Sequence, residues 1–333
     1  MSHQEKTAPE DTLFPADPPE AEEAFRFLLT AKDVGERLDK VLSGLLPRFS
    51  RSRIQQWIEQ GFVTVDMQNR PGKYRILGGE EVLVFAQATP EEMAYRPEPV
   101  GLDIIFEDSD VLVVNKPAGL VVHPGAGNWS ATLLNGLLHH YPPISVVPRA
   151  GIVHRLDKNT SGLMVVAKTL PAQTDLVRQL QSRTVLREYL ALVWGNALRH
   201  QTIRLPVGRN PRDRTRMATA SAIDARPAIT HYERIARGSL DGMAVSLLLC
   251  RLETGRTHQI RVHMESTGFS LVGDPVYGNP ALPPVLDRQA LHAQKLGLVH
   301  PGTRKNHEWM ADLPDDFKNL LIRADLIYEN SSS

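Results

Sequence analysis

Gly151-Ile152-Val153-His154-Arg155-Leu156-Asp157-Lys158-Asn159-Thr160-Ser161-Gly162-Leu163-Met164-Val165-Val166-Ala167-Lys168 places a charged, hydrogen-bonding turn between two apolar runs. Such a turn reads as a reactive carboxylate on a rigid platform. Asp157 follows Arg155 by two residues and precedes Lys158, and cationic neighbours favour the charged, nucleophilic form of a carboxylate. Asp before Lys-Asn-Thr-Ser-Gly is also ordinary turn composition, in which the side chain satisfies backbone N–H groups. The turn by itself names no reaction.

Outward from it, strand-like runs dominate after Leu102: residues 103–106, 111–115, 162–167, 189–193, 244–252 and 258–264. Helical stretches interrupt them at 132–140 and 171–182. Strands and helices do not alternate in regular βαβ order, so a doubly wound parallel sheet is not expected. The expected class is α+β, with a mixed, largely antiparallel sheet flanked by helices and loops in a catalytic domain over 101–325 and a C-terminal tail over 326–333.

Nearer the N-terminus, Leu38, Val41, Leu42 and Leu45 keep the i, i+3, i+4, i+7 spacing of an amphipathic helix that stops before Pro47. A second helix follows, capped by Ser50, with Ile54, Trp57 and Ile58 on its apolar face and Gly61 at its end. Residues 62–65 and 81–85 read as strands. A helix pair, a small strand set and Arg51 and Arg53 in the first turn of the second helix resemble the S4 RNA-binding module, expected over 26–86. Guanidinium groups and a helix N-terminus both attract phosphate oxygens. The likeness makes Arg51, Ser52, Arg53 and Lys73 the expected RNA contacts of this module. Residues 1–25 carry seven acids against Lys6 and read as a disordered acidic tail. Residues 87–100, with three prolines and no periodicity, read as a linker.

Charge is balanced overall, 38 Lys and Arg against 38 Asp and Glu, which argues against a binder that uses its whole surface for nucleic acid. Locally it is not: residues 26–75 hold ten basic side chains against five acids, and residues 199–216 hold six Arg against Asp213. Both are surfaces of the kind that meet phosphates. Cys250 is the single cysteine, which excludes an internal disulfide and a thiolate zinc site. With no apolar run of membrane-spanning length, and an N-terminus whose charge is opposite to that of a signal peptide, a cytoplasmic protein is expected, with no membrane partner. His258 and His263, five apart on an expected strand, would face opposite ways and make a poor metal pair. Gly125-Ala126-Gly127-Asn128-Trp129-Ser130 lacks the third glycine of a dinucleotide loop, and no P-loop occurs. No metal, cofactor or nucleotide is therefore expected.

His154-Arg155-Leu156-Asp157-Lys158, closed by Thr160-Ser161-Gly162, resembles the active-site motif of the pseudouridine synthases that modify ribosomal RNA, the large-subunit type with an N-terminal S4-like domain. The segments 111–125, Arg187-Glu188-Tyr189, 254–264 and 272–278 share the likeness, which covers about residues 26 to 325. It departs between Tyr277 and Ala290, where this chain is shorter. The resemblance implies isomerisation of specific uridines in large-subunit ribosomal RNA or its assembly intermediates. The reaction breaks the bond from uracil N1 to ribose and rejoins the base through C5, with nothing lost and no net redox change. One carboxylate suffices, because the departing uracil is a stabilised anion that becomes the nucleophile for the return step; a hydrolase would need a second carboxylate and a water. Asp157 is implied as nucleophile, and attack on ribose C1′, addition to base C6 and abstraction of a ribose proton all remain open. Arg261 is implied as the partner of Asp157, on the polar face of a strand. Tyr189 is implied beneath the extruded uracil, where its hydroxyl could help remove the C5 proton. Arg155 is implied as the side chain that fills the place of the flipped base, with His154 and Lys158 touching phosphate or flanking bases. The alternatives are the same chemistry on another ribosomal or transfer RNA uridine, and an RNA-binding ribosome assembly factor without catalysis.

Overall fold

The structure, a computed structural model, describes residues 23–88, 93–125, 127–213, 215–219 and 222–328, which fall into two compact units parted between 88 and 93. In the first, β1 (Glu23–Leu28), α1 (Leu38–Leu45), α2 (Arg51–Glu59), β2 (Val63–Val65), β3 (Gln68–Asn69) and β4 (Glu81–Ala86) form a helix pair on an antiparallel sheet of order β1-β4-β2-β3. The apolar stripes of the helices bury Leu38, Leu42, Ile54, Trp57 and Ile58 against Val63, Val82 and Val84. Ser50 Oγ caps α2 by accepting from the Arg53 N–H at 3.3 Å, and Gly61 takes φ +82° just past its end. Residues 23–25, expected in the acidic tail, instead pair along β4, Glu23 with Ala86 and Phe25 with Val84. The remainder of that tail, 1–22, lies outside the described residues.

Asp39 is the polar centre of this unit. Its fully buried carboxylate accepts from Arg37 Nε and Nη2, Arg51 Nη2 (each 3.0 Å) and Gln55 Nε2 (2.5 Å). Burial alone would raise its pKa, but the hydrogen bonds from Arg37, Gln55 and Arg51 outweigh that and bring it down to about 2. Because the folded value lies below the unfolded one, the stabilisation, on the order of 2 kcal/mol, is complete above about pH 4 and is lost as pH falls through 2. The protection of the β2 and β4 amides, measured against intrinsic exchange at each pH, is therefore expected to fall in the whole chain between pH 4 and 2. In Asp39→Asn the fall in protection over this interval should be much smaller, and an equal fall in both proteins would contradict the assignment.

In the second unit the order is β5 (Ile104–Glu107), β6 (Val111–Lys116), α3 (Leu133–His140), β7 (Ser161–Ala167), α4 (Leu170–Gln181), β8 (Leu186–Trp194), β9 (His200–Ile203), β10 (Val207–Arg209), β11 (Met217–Ala218), β12 (Ile223–Arg226), β13 (Thr230–Leu240), β14 (Met243–Leu252), α5 (Gln259–Ser266), β15 (Leu291–Val299), β16 (Asn306–Met310) and α6 (Asp315–Arg323). The large sheet runs β5-β6-β7-β15-β8-β14-β13-β9, with β16 on β15. Every described pair in it is antiparallel except β7 with β15. Its central strands are buried on both faces, which is why β6, β7 and β8 read as unbroken apolar runs. On one face Met164, Val166, Ala191, Val193 and Leu248 pack under α3 and α5. On the other, Leu190, Leu192 and Leu247 pack against Phe317, Leu320 and Leu321 of α6. Of the basic 199–216 stretch, 200–203 form β9 at the end of the large sheet and 207–209 form β10 of a separate three-stranded sheet, β11-β10-β12.

Three expectations change here. Residues 259–266 form a helix, not a strand, and Gln259, Arg261 and His263 are as buried as Ile260, Val262 and Met264. Of the expected linker, 89–92 lie outside the described residues, whereas Ala94 is buried and the Asn135 amide donates to Ala94 O and Arg96 O, fastening this stretch to α3. The expected C-terminal tail begins too early: Leu326 is buried in the α6 cluster and the Tyr328 hydroxyl donates to Gln294 Oε1 at 2.8 Å.

Two glycines fix the loop between the 3-10 turn at 148–151 and β7. Gly151 has φ +71°, and a Cβ there would lie 1.8 Å from Ala167 O; Gly162 has φ +116°, and a Cβ would lie 2.2 Å from Ala293 O. Both contacts are with backbone, so no rotamer change relieves them. Gly162→Ala is expected to lower stability by roughly 2–4 kcal/mol, combining left-handed strain with separation of the only parallel ladder among the described strands. Chemical denaturation reads this directly, and a change below about 1 kcal/mol would show that β15 yields freely.

Candidate active site

Asp157 stands at the tip of the loop joining Ile152 to β7, and almost every part of that loop is tied down. Leu156 is buried in the core beneath it, and the Thr160 N–H closes a turn on Asp157 O at 3.0 Å. Lys116, 1% exposed, donates its ammonium to Lys158 O (2.9 Å), Leu120 O (2.9 Å) and Pro117 O (2.7 Å). Burial lowers the Lys116 pKa to about 7, with Asp157 opposing and Arg288 adding to the drop. The amide of Gln289 fixes Thr160 Oγ1 at 3.0 Å.

The carboxylate of Asp157 accepts from Arg261 Nη1 at 3.1 Å. The rest of that guanidinium is engaged by fully buried Asp274, Nε to Oδ2 at 2.8 Å and Nη2 to Oδ1 at 2.9 Å. For Asp274, burial pushes the pKa up and the bonds from Arg261 more than reverse it, so both groups are charged at neutral pH. Arg261 is thus already neutralised by Asp274, and its bond to Asp157 serves orientation. Its helix is placed by polar groups that stay dry: Gln259 bonds Thr254, Ile229 and Thr230, and His263 bonds Thr230 Oγ1 and Leu205 O. Oδ1 of Asp274 also accepts the N–H groups of Val276 and Tyr277, and the Tyr277 hydroxyl meets His258 Nδ1 at 2.9 Å and the Met217 N–H at 2.7 Å. His258, at φ +54° before α5, sets Nε2 3.9 Å from Asp157 Oδ1, and burial lowers its pKa despite that carboxylate.

Asp157, Tyr189, Arg261, His154 and Arg155 share one cleft of about 320 Å3, together with His123, Arg187 and His258. Tyr189 sits inside the sheet between β14 and β15, 6% exposed, rather than at a strand edge or start. Burial raises its pKa, Arg187 opposing and Asp157 assisting. Arg155 is exposed and also borders a second opening of about 1150 Å3 beside the small sheet, lined by Arg209, Arg226 and Arg256. Lys158 is exposed at the loop tip. His154 departs from the expectation of an RNA contact. Its Nε2 accepts the Val165 N–H at 3.0 Å and burial takes its pKa to about 3, so it is a neutral brace of the loop without a charge for phosphate.

In the first unit, Ser52 and Lys73 are exposed, Ser52 Oγ lying 3.0 Å from Ser50 Oγ. Arg51 is about half exposed while holding Asp39. Arg53 is more committed to the fold, with Nη2 on Gln87 O at 2.6 Å and its guanidinium over the Phe49 and Trp57 rings. Asp274, His258, Tyr277 and Lys116 were not singled out as site residues from the sequence. The signal for them lay in the segments 254–264, 272–278 and 111–125, where Asp274, Tyr277 and Lys116 each stand beside glycine or proline and His258 lies in the polar run 254–259.

Among the described residues, Asp108, Asp110 and His300 alone bring three potential metal-ligand atoms within 4.8 Å of one another. His300 Nδ1 accepts from the Gly302 and Thr303 N–H groups, which puts the ring proton on Nε2, 2.8 Å from Asp108 Oδ2. The ring nitrogens of His300 are thus turned to the 300–303 turn and to Asp108, and the cluster does not line the cleft. No helix among the described residues is long and apolar enough to cross a membrane.

The site is thus a single carboxylate oriented by a pre-neutralised arginine, in a cleft that a buried tyrosine also lines. The family model described as RNA pseudouridylate synthase matches residues 110–266, and the S4 domain model matches 36–82. The chain belongs to the RNA pseudouridine synthases and carries an S4 domain at its N-terminal side. More particularly, it is 51% identical to ribosomal large subunit pseudouridine synthase D of Nitrosomonas europaea, over 88% of this chain and 86% of that protein. It is 47% identical to the protein of that name from Escherichia coli K12, over 91% and 96% respectively. Among solved structures, human RNA pseudouridylate synthase domain containing 1 superposes with a TM-score of 0.54 at 29% identity, covering 65% of this chain and 85% of that one.

Proposed function

We propose that this enzyme converts specific uridines of large-subunit ribosomal RNA to pseudouridine, in the cytoplasm and on the free RNA or an assembly intermediate. The observation that carries the reading is the Asp157–Arg261–Asp274 chain, which presents one hydrogen-bonded carboxylate to the cleft that Tyr189 also lines. In it Asp157 is the nucleophile, Arg261 its orienting partner, and Tyr189 the surface beneath a uracil swung out of its stack. Arg155, at the junction of the two openings, fills the vacated place, and the arginines of the second opening follow the phosphate backbone. The S4 domain, through Arg51, Ser52 and Lys73, adds affinity and orientation to the catalytic domain. Two relatives named as large subunit synthases, each near half identity over most of the chain, support the choice of RNA.

Pseudouridine mapping of ribosomal and transfer RNA from cells with and without the protein tests the reading. Sites that disappear from large-subunit RNA and return with the unaltered gene are the expected result. Loss confined to transfer RNA would move the substrate, and no loss anywhere would defeat the proposal.

A further inference from the structure

Arg187 is the one cation of the cleft wall whose buried charge has no carboxylate partner among the described residues. It is 7% exposed; its Nε is buried without a partner, and Nη2 makes only long bonds to Leu252 O (3.4 Å) and Glu253 O (3.3 Å). The other two buried arginines of this unit are bidentate to carboxylates, Arg261 to Asp274 and Arg288 to Asp316. Nearby acids are already taken, Glu188 by Arg251 and Glu253 by Arg183 and His231. Taking an unpaired guanidinium out of water costs several kcal/mol, and sites that bear such a cost are disproportionately functional. Arg187 stands two residues before Tyr189 on β8, so both point to the same face, and both line the cleft with Asp157. Nη1 lies beneath Gly255, where even a Cβ would come within 2.9 Å of it.

We propose that Arg187 is a catalytic residue that hydrogen-bonds a carbonyl oxygen of the target uracil and holds the negative charge the base carries while its N1 is detached from the ribose C1′. This rests on the pseudouridine synthase reading of the same cleft. When the C1′–N1 bond breaks, its electron pair goes to the uracil and spreads over O2 and O4. When C5 bonds C1′ that pair is consumed and the bond to Asp157 is released; the C5 proton then passes to solvent and N1 takes one up, so the product is an isomer. The guanidinium exchanges no proton and needs no co-reactant. Its weak protein bonds leave donors free for an anion that exists only during the reaction, the condition under which a fixed cation accelerates rather than merely binds.

The test is single-turnover conversion of a large-subunit RNA fragment by the whole chain, compared with Arg187→Met and Arg187→Lys, using uridine and then 5-fluorouridine at the target. Fluorine at C5 stabilises the departing anion, so the base needs less help. Arg187→Met is expected to slow loss of the N1-linked uridine by roughly 100-fold with RNA affinity within threefold, and Arg187→Lys to recover most of that rate. With 5-fluorouridine the Met deficit should shrink to about tenfold or less. Equal deficits on both bases would show a merely structural role for Arg187, and an affinity loss at unchanged rate would make it a phosphate contact; either overturns the proposal. Should Arg187→Met not fold, the same ratio between the two bases is read in Arg187→Gln, which keeps polar donors without the charge. An unaltered chain that forms no pseudouridine defeats the underlying reading, whereas normal turnover with a Met variant within threefold defeats this inference alone.

Discussion

Asp157→Asn is expected to stop pseudouridine formation, lowering the single-turnover rate by on the order of 10⁴-fold or more, as loss of a nucleophile does when the surrounding machinery stays intact. The substitution keeps the shape of the side chain and an acceptor oxygen for Arg261 Nη1, and removes only the charge and the nucleophile. Stability should change little, by about 1 kcal/mol or less, because Arg261 remains bidentate to Asp274 and no buried cation is left alone. RNA affinity should hold as well, since an anionic carboxylate contributes no phosphate contact. Nucleoside mass spectrometry after rapid quench, alongside a binding titration, separates these effects. Conversion within tenfold of the unaltered chain would remove Asp157 from the chemistry.

How far the sequence revealed this site depended on what each segment buries. The strands around Asp157 were readable because β6, β7 and β8 are covered on both faces, leaving apolar runs that only a core strand explains. The helix of Arg261 was misread because Gln259-Ile260-Arg261-Val262-His263-Met264 alternates with a period of two. That alternation normally means one wet face, yet here Gln259, Arg261 and His263 are dry and bonded to Thr230, Leu205, Asp274 and Asp157. Eight residues give too few turns for helical periodicity to assert itself. The stop signal was present all the same, in Gly268 at φ +84° one residue beyond the Thr267 cap. β15 escaped notice for a related reason: His292 and Gln294 interrupt it, and both are buried, the first against Ser161 Oγ and the second against Tyr328.

The same distinction separates the charged residues. Arg155 and Lys158, expected at the RNA, are exposed at the loop tip, whereas His154 beside them is spent on Val165. Sequence adjacency could not distinguish them, because the loop turns its alternate side chains toward solvent and toward β7. In the first unit, Arg51 and Arg53 share a helical turn but differ similarly, one holding the buried Asp39 and the other stacked on Phe49 and Trp57. Partnering across the fold, rather than composition, decides which basic side chain has charge to offer.

Asp274 is where that partnering has its largest consequence for stability. Asp274→Asn removes the charge that neutralises Arg261 and turns an amide NH2 toward its donors, so at most one of the two short bonds survives. Breaking a buried pair from one side costs about 3–5 kcal/mol, which for a unit of this size corresponds to a fall in Tm of roughly 6–20 °C. Arg261 retains one carboxylate, Asp157, and should close on it. That closure limits the loss of stability but ties up the oxygen that must react. The backbone N–H groups of Val276 and Tyr277 also lose a charged acceptor, loosening the Tyr277 hydroxyl that holds His258. A calorimetric scan should therefore show the lowered Tm, and single-turnover kinetics below that temperature a rate at least tenfold down with RNA affinity unchanged. Unaltered Tm with unaltered rate would mean that Asp157 alone can hold Arg261, and that the buried carboxylate behind it is dispensable to the site.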